Sequence, residues 1–199
     1  LINASSAQLV FKKWPAGRSP EETGKKVTEL FLISSHGVYG GNTKPHIPYF
    51  EVCTWYGALT FAKETKDDDL KEKLVERFSP LFGKDTALLP VPDHVDYSVF
   101  GAVPLEIYLQ TKDERHFVLG KNYADTQWGT PAGPRVIAAS RDYYNKGYTW
   151  QTRLWIDDMY MITLLQAQAF RATGNVKYIN RAAKEMLLYL DSLQKPNGL

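Results

Sequence analysis

The sequence predicts an all-α fold built from helical hairpins, and three observations carry that prediction. Three stretches share one local pattern: Ala62-Lys63-Glu64-Thr65-Lys66-Asp67, Leu109-Gln110-Thr111-Lys112-Asp113 and Arg171-Ala172-Thr173-Gly174-Asn175. Each follows a long apolar helical run and precedes an amphipathic one, at 69–82, 114–128 and 176–194. No stretch alternates apolar and polar residues strongly enough to compete as a strand. Lys, Gly, Asp and Asn suit turns between antiparallel helices. A hairpin with a greasy first helix and a more polar second one cannot bury its faces alone, so such units stack. Greasy inner helices under amphipathic outer ones point to a double ring, because an open solenoid would leave both faces wet.

Each element follows in order. Residues 1–18 read as an irregular arm with Trp14-Pro15, and 19–199 as one domain. Ser19-Pro20-Glu21-Glu22 is a helix start, with a capping-box pair and Pro at the first helical position. Val27, Leu30, Phe31 and Ile33 supply that helix with an apolar stripe, and Gly24 weakens it. The loop from Ser34 to Pro48 carries His36 and His46, each read as a solvated polar residue. An inner helix opens at Tyr49. The next begins near Asp96, late or kinked, because Pro104 lacks an N–H and clashes with the carbonyl four residues back. Stripes such as Leu70/Leu74/Phe78 and Tyr178/Ala182/Met186/Leu190 mark the outer helices. The turns lie 46 and then 62 residues apart, and the longer interval holds Gly129 to Gly147, which reads as a loop. The third inner run opens with Arg153-Leu154-Trp155-Ile156-Asp157-Asp158-Met159-Tyr160-Met161. Apolar residues lie on nearly every face as far as Phe170, so it should be buried all round.

Composition narrows the function. With 44% hydrophobic and 23% charged residues, the 199-residue chain is an ordinary globular sequence. A net charge of +2 without a basic run gives no support to a nucleic-acid partner. No apolar run approaches a membrane span. The single Cys53 excludes an internal disulfide, and four scattered histidines give no zinc spacing. Five Trp and twelve Tyr fill cores, and they are also the side chains that line sugar clefts.

The carboxylates fall in register. Asp157 lies 16 residues before Thr173, Asp96 lies 15 before Thr111, and Tyr49 lies 16 before Thr65. At 1.5 Å per residue, all three sit roughly 22–24 Å from their turns, on one rim of the inner helices. Packed helices lie about 8–10 Å apart, so carboxylates on neighbours approach the separation glycoside chemistry uses. Trp155, Tyr97 and Tyr49 collect at the same rim. The competing reading is structural: helix starts gather Asp as caps, so registered starts register Asp. Asp67-Asp68-Asp69 and Asp113, at the turns, read as solvated caps.

Trp155-Ile156-Asp157-Asp158-Met159-Tyr160-Met161 is similar to the W-x-D-x-[LM]-[YF]-M signature of the unsaturated rhamnogalacturonyl hydrolases, glycoside hydrolase family 105, to which the family 88 unsaturated glucuronyl hydrolases are related. Val95-Asp96-Tyr97 and Tyr49-Phe50-Glu51 sit where that family places inner-helix site residues. The resemblance implies an (α/α)6 barrel, a six-hairpin toroid. It also implies an enzyme that removes the 4,5-unsaturated uronic acid left by polysaccharide lyases at a non-reducing end. By the same resemblance Asp157 is the general acid/base, Asp96 the second catalytic Asp and Trp155 a sugar-stacking platform. Tyr49, His94 and Asp158 complete the expected substrate-binding set; Asp158 replaces a residue that is often small. Asp157 would protonate C4 of the vinyl ether while water adds at C5. Burial among Trp155, Met159 and Met161, beside an ionised Asp96, would raise its pKa for that role. Neither metal nor organic cofactor is implied, and the partner is an oligosaccharide. Six hairpins need about 300 residues, and the seven helices expected here make about half a ring. That half-ring is expected to need the rest of the ring or self-association with a second copy. Two other classes remain open: an inverting glycosidase or polysaccharide lyase on the same toroid, and a non-catalytic helical-repeat binding module.

Overall fold

The computed structural model describes residues 14–37 and 44–198. Most of the N-terminal arm (1–13), residues 38–43 of the Ser34–Pro48 loop, and Leu199 lie outside the described residues. Within them, all regular structure is helical. The elements are α1 Pro20–Ile33, α2 Tyr49–Thr65, α3 Asp68–Phe78, α4 Val95–Ser98, α5 Ala102–Thr111, α6 Glu114–Thr126, α7 Ala138–Asn145, α8 Asp158–Thr173 and α9 Val176–Leu193. This all-helical hairpin architecture is consistent with an α/α toroid. Seven helices were expected. The additional ones are the single turn α4 and helix α7, which lies inside the Gly129–Gly147 stretch read as a loop.

The three shared turns have one geometry. Lys66, Lys112 and Gly174 occupy equivalent positions, all left-handed, with φ of 57°, 63° and 68°. Asp67, Asp113 and Asn175 follow and cap the outer helices through the amides of Leu70, Arg115 and Lys177. A left-handed Lys is strained by roughly 1 kcal/mol where glycine is not. The αL stop is thus a requirement of the hairpin, and only the third turn meets it with the cheapest residue.

Helices α2, α5 and α8 pack side by side as the inner layer, and α3, α6 and α9 lie outside their own partners. Trp55, Leu59, Leu105, Ile107, Ile162 and Leu165 fill the layer between them. Near the turns, buried Glu106 of α5 accepts hydrogen bonds from Gln168 (2.7 Å) and Arg171 (2.8 Å) of α8. The late start read from Pro104 is seen directly. A 3-10 turn over Val99–Gly101 precedes α5, and Pro104 falls in its first turn, where no N–H is needed.

Several helical faces differ from the pattern reading. On α1, Phe31 and Thr28 are buried, whereas Val27, Leu30 and Ile33 are exposed. Gly24 has a positive use: a Cβ there would lie 2.5 Å from the Phe61 ring, so glycine lets α1 close onto α2. On α9 the buried stripe is Tyr178, Ala182, Glu185 and Tyr189, while Leu190 is exposed. Strict i, i+4 spacing drifts round the helix, and the true face includes a carboxylate. Nor is α8 buried all round. Its Tyr160, Leu164 and Ala167 form an open apolar groove with Ile179 and Met186 of α9. His36 and His46 are not solvated. His36 Nδ1 lies 2.6 Å from Glu51, and His46 is buried with its ring centroid 4.3 Å from that of Tyr97.

Glu51, on the inner face of α2 and 5% exposed, ties loop, α2 and α3 together. His36, the Gly37 amide (2.7 Å) and Arg77 (3.2 Å) all meet its carboxylate. Burial pushes its pKa up, but these three partners outweigh burial and hold it below the usual carboxylate value. A depressed folded-state pKa stabilises above the unfolded value and is lost as acid protonates the group. Glu51→Ala should therefore lower unfolding free energy by about 3 kcal/mol at pH 7, because it strands the buried guanidinium of Arg77. Urea denaturation should show the deficit shrinking as pH falls through the lowered pKa.

Candidate active site

The rim opposite the turns is built by a short strap, residues 149–153, that leads into α8. Its side chains tie it down at several points. The Thr149 hydroxyl donates to the Gln127 carbonyl, the Trp150 indole to Thr126 O (3.1 Å), and the Gln151 amide to Pro92 O (3.0 Å). Glu185 of α9 accepts from the Thr149 amide (3.2 Å) and also meets the Thr152 hydroxyl. Leu154 then adopts φ 58°, a left-handed conformation that a bulky residue holds only under constraint from both sides.

Arg153 is the hub. Its Nη2 donates to Asp96 Oδ1 (2.9 Å) and Asp158 Oδ1 (2.5 Å), and its Nε reaches both Asp158 oxygens at 3.2 Å. The Tyr189 hydroxyl donates to the remaining side of Asp158 (3.1 Å). Burial works against the guanidinium charge, but Asp158, Asp96 and Asp157 outweigh it and raise its pKa further. The Trp155 ring lies 4.5 Å from that guanidinium and is 61% exposed.

The expected site residues fall as follows. Tyr49, His94 and Asp96 line one cleft of about 140 Å3 together with Tyr97 and Arg135. His94 Nδ1 accepts the Asp96 amide at 3.3 Å. Burial lowers the His94 pKa, Asp96 opposes this, and Arg153 and Arg135 add to it, so the ring is neutral near pH 7. Asp157 stands at the N-cap of α8, yet its side chain makes no capping bond and it is exposed. The burial expected of Asp157 belongs to Asp158, which is 0% exposed and ion-paired. Neither Asp caps the helix through its side chain, and Asp158 is instead held structurally by Arg153 and Tyr189. The helix proper begins at Asp158, which is buried, and Asp157 stands exposed at its N-cap.

Sequence reading named Arg153 only as the start of the stretch and missed Arg135, which pairs with Asp93 at 2.6 Å. No periodicity marks either arginine. Glu185 was detectable: an acid in phase with Tyr178, Ala182 and Tyr189 lies within a buried stripe. Among the described residues, no three His, Cys, Asp or Glu side chains converge as a metal site requires.

Stacked helical hairpins with carboxylates and an exposed Trp gathered on one rim are the framework of an all-helical carbohydrate-active enzyme. Residues 25–199 match the family model described as Glycosyl Hydrolase Family 88, and the chain belongs to that family of glycoside hydrolases. No curated protein and no solved structure matches it.

Glu185 gives the rim a pH signature. Burial pushes its pKa up to about 7, against the opposing effects of Thr152, the Thr149 amide and Lys184, while Asp158 adds to the rise. The Thr152 hydroxyl also bonds the Thr149 carbonyl (2.8 Å). With one proton to give, that hydroxyl is best satisfied when Glu185 carries a proton. A raised carboxyl pKa stabilises at low pH and is lost between the ordinary value near 4.5 and about 7. Glu185→Gln, which copies the protonated form, should be more stable than wild type at pH 8 by a few kcal/mol. The gap should close toward pH 4.5 in thermal unfolding monitored by circular dichroism.

Proposed function

We propose that this protein removes the 4,5-unsaturated uronic acid from the non-reducing end of lyase-generated oligosaccharides, of pectin or rhamnogalacturonan type. Membership of family 88 and the Trp155-to-Met161 signature both support that reading. The single observation that carries it is the division of labour between adjacent acids. Asp158 is fully committed to Arg153 and Tyr189, while Asp157 presents an exposed carboxyl, uncommitted to the helix, beside Trp155.

In this mechanism the sugar ring stacks on Trp155 and covers Asp157. Covering it removes water from the carboxyl, which favours the protonated acid that the step requires. The acid proton goes to C4, the C4–C5 π electrons form the new C–H bond, and positive charge develops at C5 and the ring oxygen. Water adds to C5 and returns a proton to Asp157. The resulting hemiketal opens, and the attached sugar leaves as an alcohol. Asp96, fixed by Arg153, serves as a hydrogen-bond acceptor for a substrate hydroxyl or the attacking water, and Tyr49 and His94 line the cleft around it.

Asp157→Asn should reduce hydrolysis of an unsaturated disaccharide at least hundredfold, followed as loss of enol-ether absorbance, with an unchanged melting temperature. Near-normal turnover would remove Asp157 from the chemistry. Activity on saturated glycans without prior lyase digestion would instead favour an ordinary glycosidase on the same fold.

A further inference from the structure

Five acids are buried among the described residues. Glu51, Asp93, Glu106 and Asp158 each pair with an arginine. Glu185, the fifth, has no such partner among them and hydrogen-bonds instead to the Thr149 amide (3.2 Å) and the Thr152 hydroxyl. The ammonium next to it on α9, that of Lys184, turns to the Lys146 carbonyl (2.7 Å) and lies over the Tyr148 ring. The other titratable groups facing Glu185 are Asp158 of α8 and Tyr189 of α9, and the nearby Arg153 of the strap is bound to Asp158. A buried carboxyl without a cation keeps a proton in place of a charge. Burial accordingly pushes its pKa up to about 7.

The strap is wired to that proton. When Glu185 is protonated, its O–H donates to Thr152 Oγ, the Thr152 hydroxyl donates to the Thr149 carbonyl (2.8 Å), and the Thr149 amide donates back to Glu185. Every group in this circuit has a partner, and residues 149–152 are closed into a turn. When Glu185 is ionised, the one hydroxyl proton of Thr152 goes to the carboxylate. The Thr149 carbonyl then keeps only the long bond from the Thr152 amide (3.3 Å). Arg153, the left-handed Leu154, Trp155 and Asp157 follow directly in the chain.

Resting on the function proposed above, we infer that Glu185 is a positioning residue, whose proton closes the 149–152 turn and through it sets Arg153, Trp155 and Asp157 for the reaction. Ionisation of Glu185 opens the turn, so the rim is in place in acid and at neutrality and loosens in mild alkali.

The test uses the whole protein and two readouts. The first needs no substrate: the indole N–H resonance of Trp155, assigned by its absence in Trp155→Phe, is followed by NMR from pH 5 to 9. In wild type it should titrate with a midpoint near that of Glu185, about 7. Glu185→Gln, whose amide copies the donor and acceptor of the protonated acid, should abolish the titration. Thr152→Val should abolish it too, because Glu185 still ionises but has no hydroxyl through which to move the strap. A resonance that does not titrate in wild type overturns the inference, and so does a titration that survives in either variant. The second readout is hydrolysis of an unsaturated disaccharide. The kcat/KM of Glu185→Gln relative to wild type should rise from about one at pH 6 to about tenfold at pH 8, one unit above the titration. A merely structural role would leave that ratio flat across the range, which also overturns the inference. If wild-type protein hydrolyses no unsaturated disaccharide at any pH, the proposed function fails, and the Trp155 titration still decides whether Glu185 sets the rim.

Discussion

A fully buried carboxylate, Asp158, sits at the start of α8, and the guanidinium of Arg153 meets it through Nε and Nη2 while also bonding Asp96. Removing a carboxylate from water costs several kcal/mol unless a cation and further hydrogen bonds compensate. Arg153 and Tyr189 supply both, and in doing so they fix the beginnings of α4 and α8 and the far half of α9 relative to one another. At the opposite end of the inner layer, Glu106 with Gln168 and Arg171 plays the same part between α5 and α8. Buried charge therefore holds the inner layer at both ends, and apolar packing fills the space between.

The strap that carries Arg153 depends in turn on α9. Glu185 holds the Thr149 amide and the Thr152 hydroxyl, and Gln151 and Trp150 reach back to the carbonyls of Pro92 and Thr126. A left-handed Leu154 follows, strained backbone of the kind that persists where surrounding contacts determine it. The consequence for function is local. One of two adjacent aspartates is buried and ion-paired, and the other stands exposed at the N-cap of α8.

Much of this was legible in the sequence where the determinant was local. The three turns, their αL stops and the caps at Asp67, Asp113 and Asn175 follow from four or five residues each, and Pro104 marked the late start of α5. The rim register was legible as well, because equal spacing from equivalent turns places Tyr49, Asp96 and the Asp157–Asp158 pair on one level. What escaped depended on tertiary pairing. The inward turn of Asp158 in place of Asp157 needs Arg153, whose role no periodicity signals. The α9 face was misread because Glu185 interrupts its apolar run, and the exposed Val27, Leu30 and Ile33 show that apolar residues on a helix need not mark its buried side. Short α7 was hidden among Gly, Pro and Tyr residues that signal turns.

Equilibrium unfolding and hydrolysis of three variants would test the Arg153 clamp most directly: Arg153→Met, Asp158→Met and the double substitution. Arg153→Met alone should lose about 3–5 kcal/mol, because it leaves Asp158 buried and unpaired. The double variant should recover most of that stability, since two apolar side chains replace the ion pair, while remaining inactive because Asp96 and the rim are no longer held. An Arg153→Met protein that melts like wild type, or a double variant that hydrolyses substrate normally, would contradict the central role given to this pair.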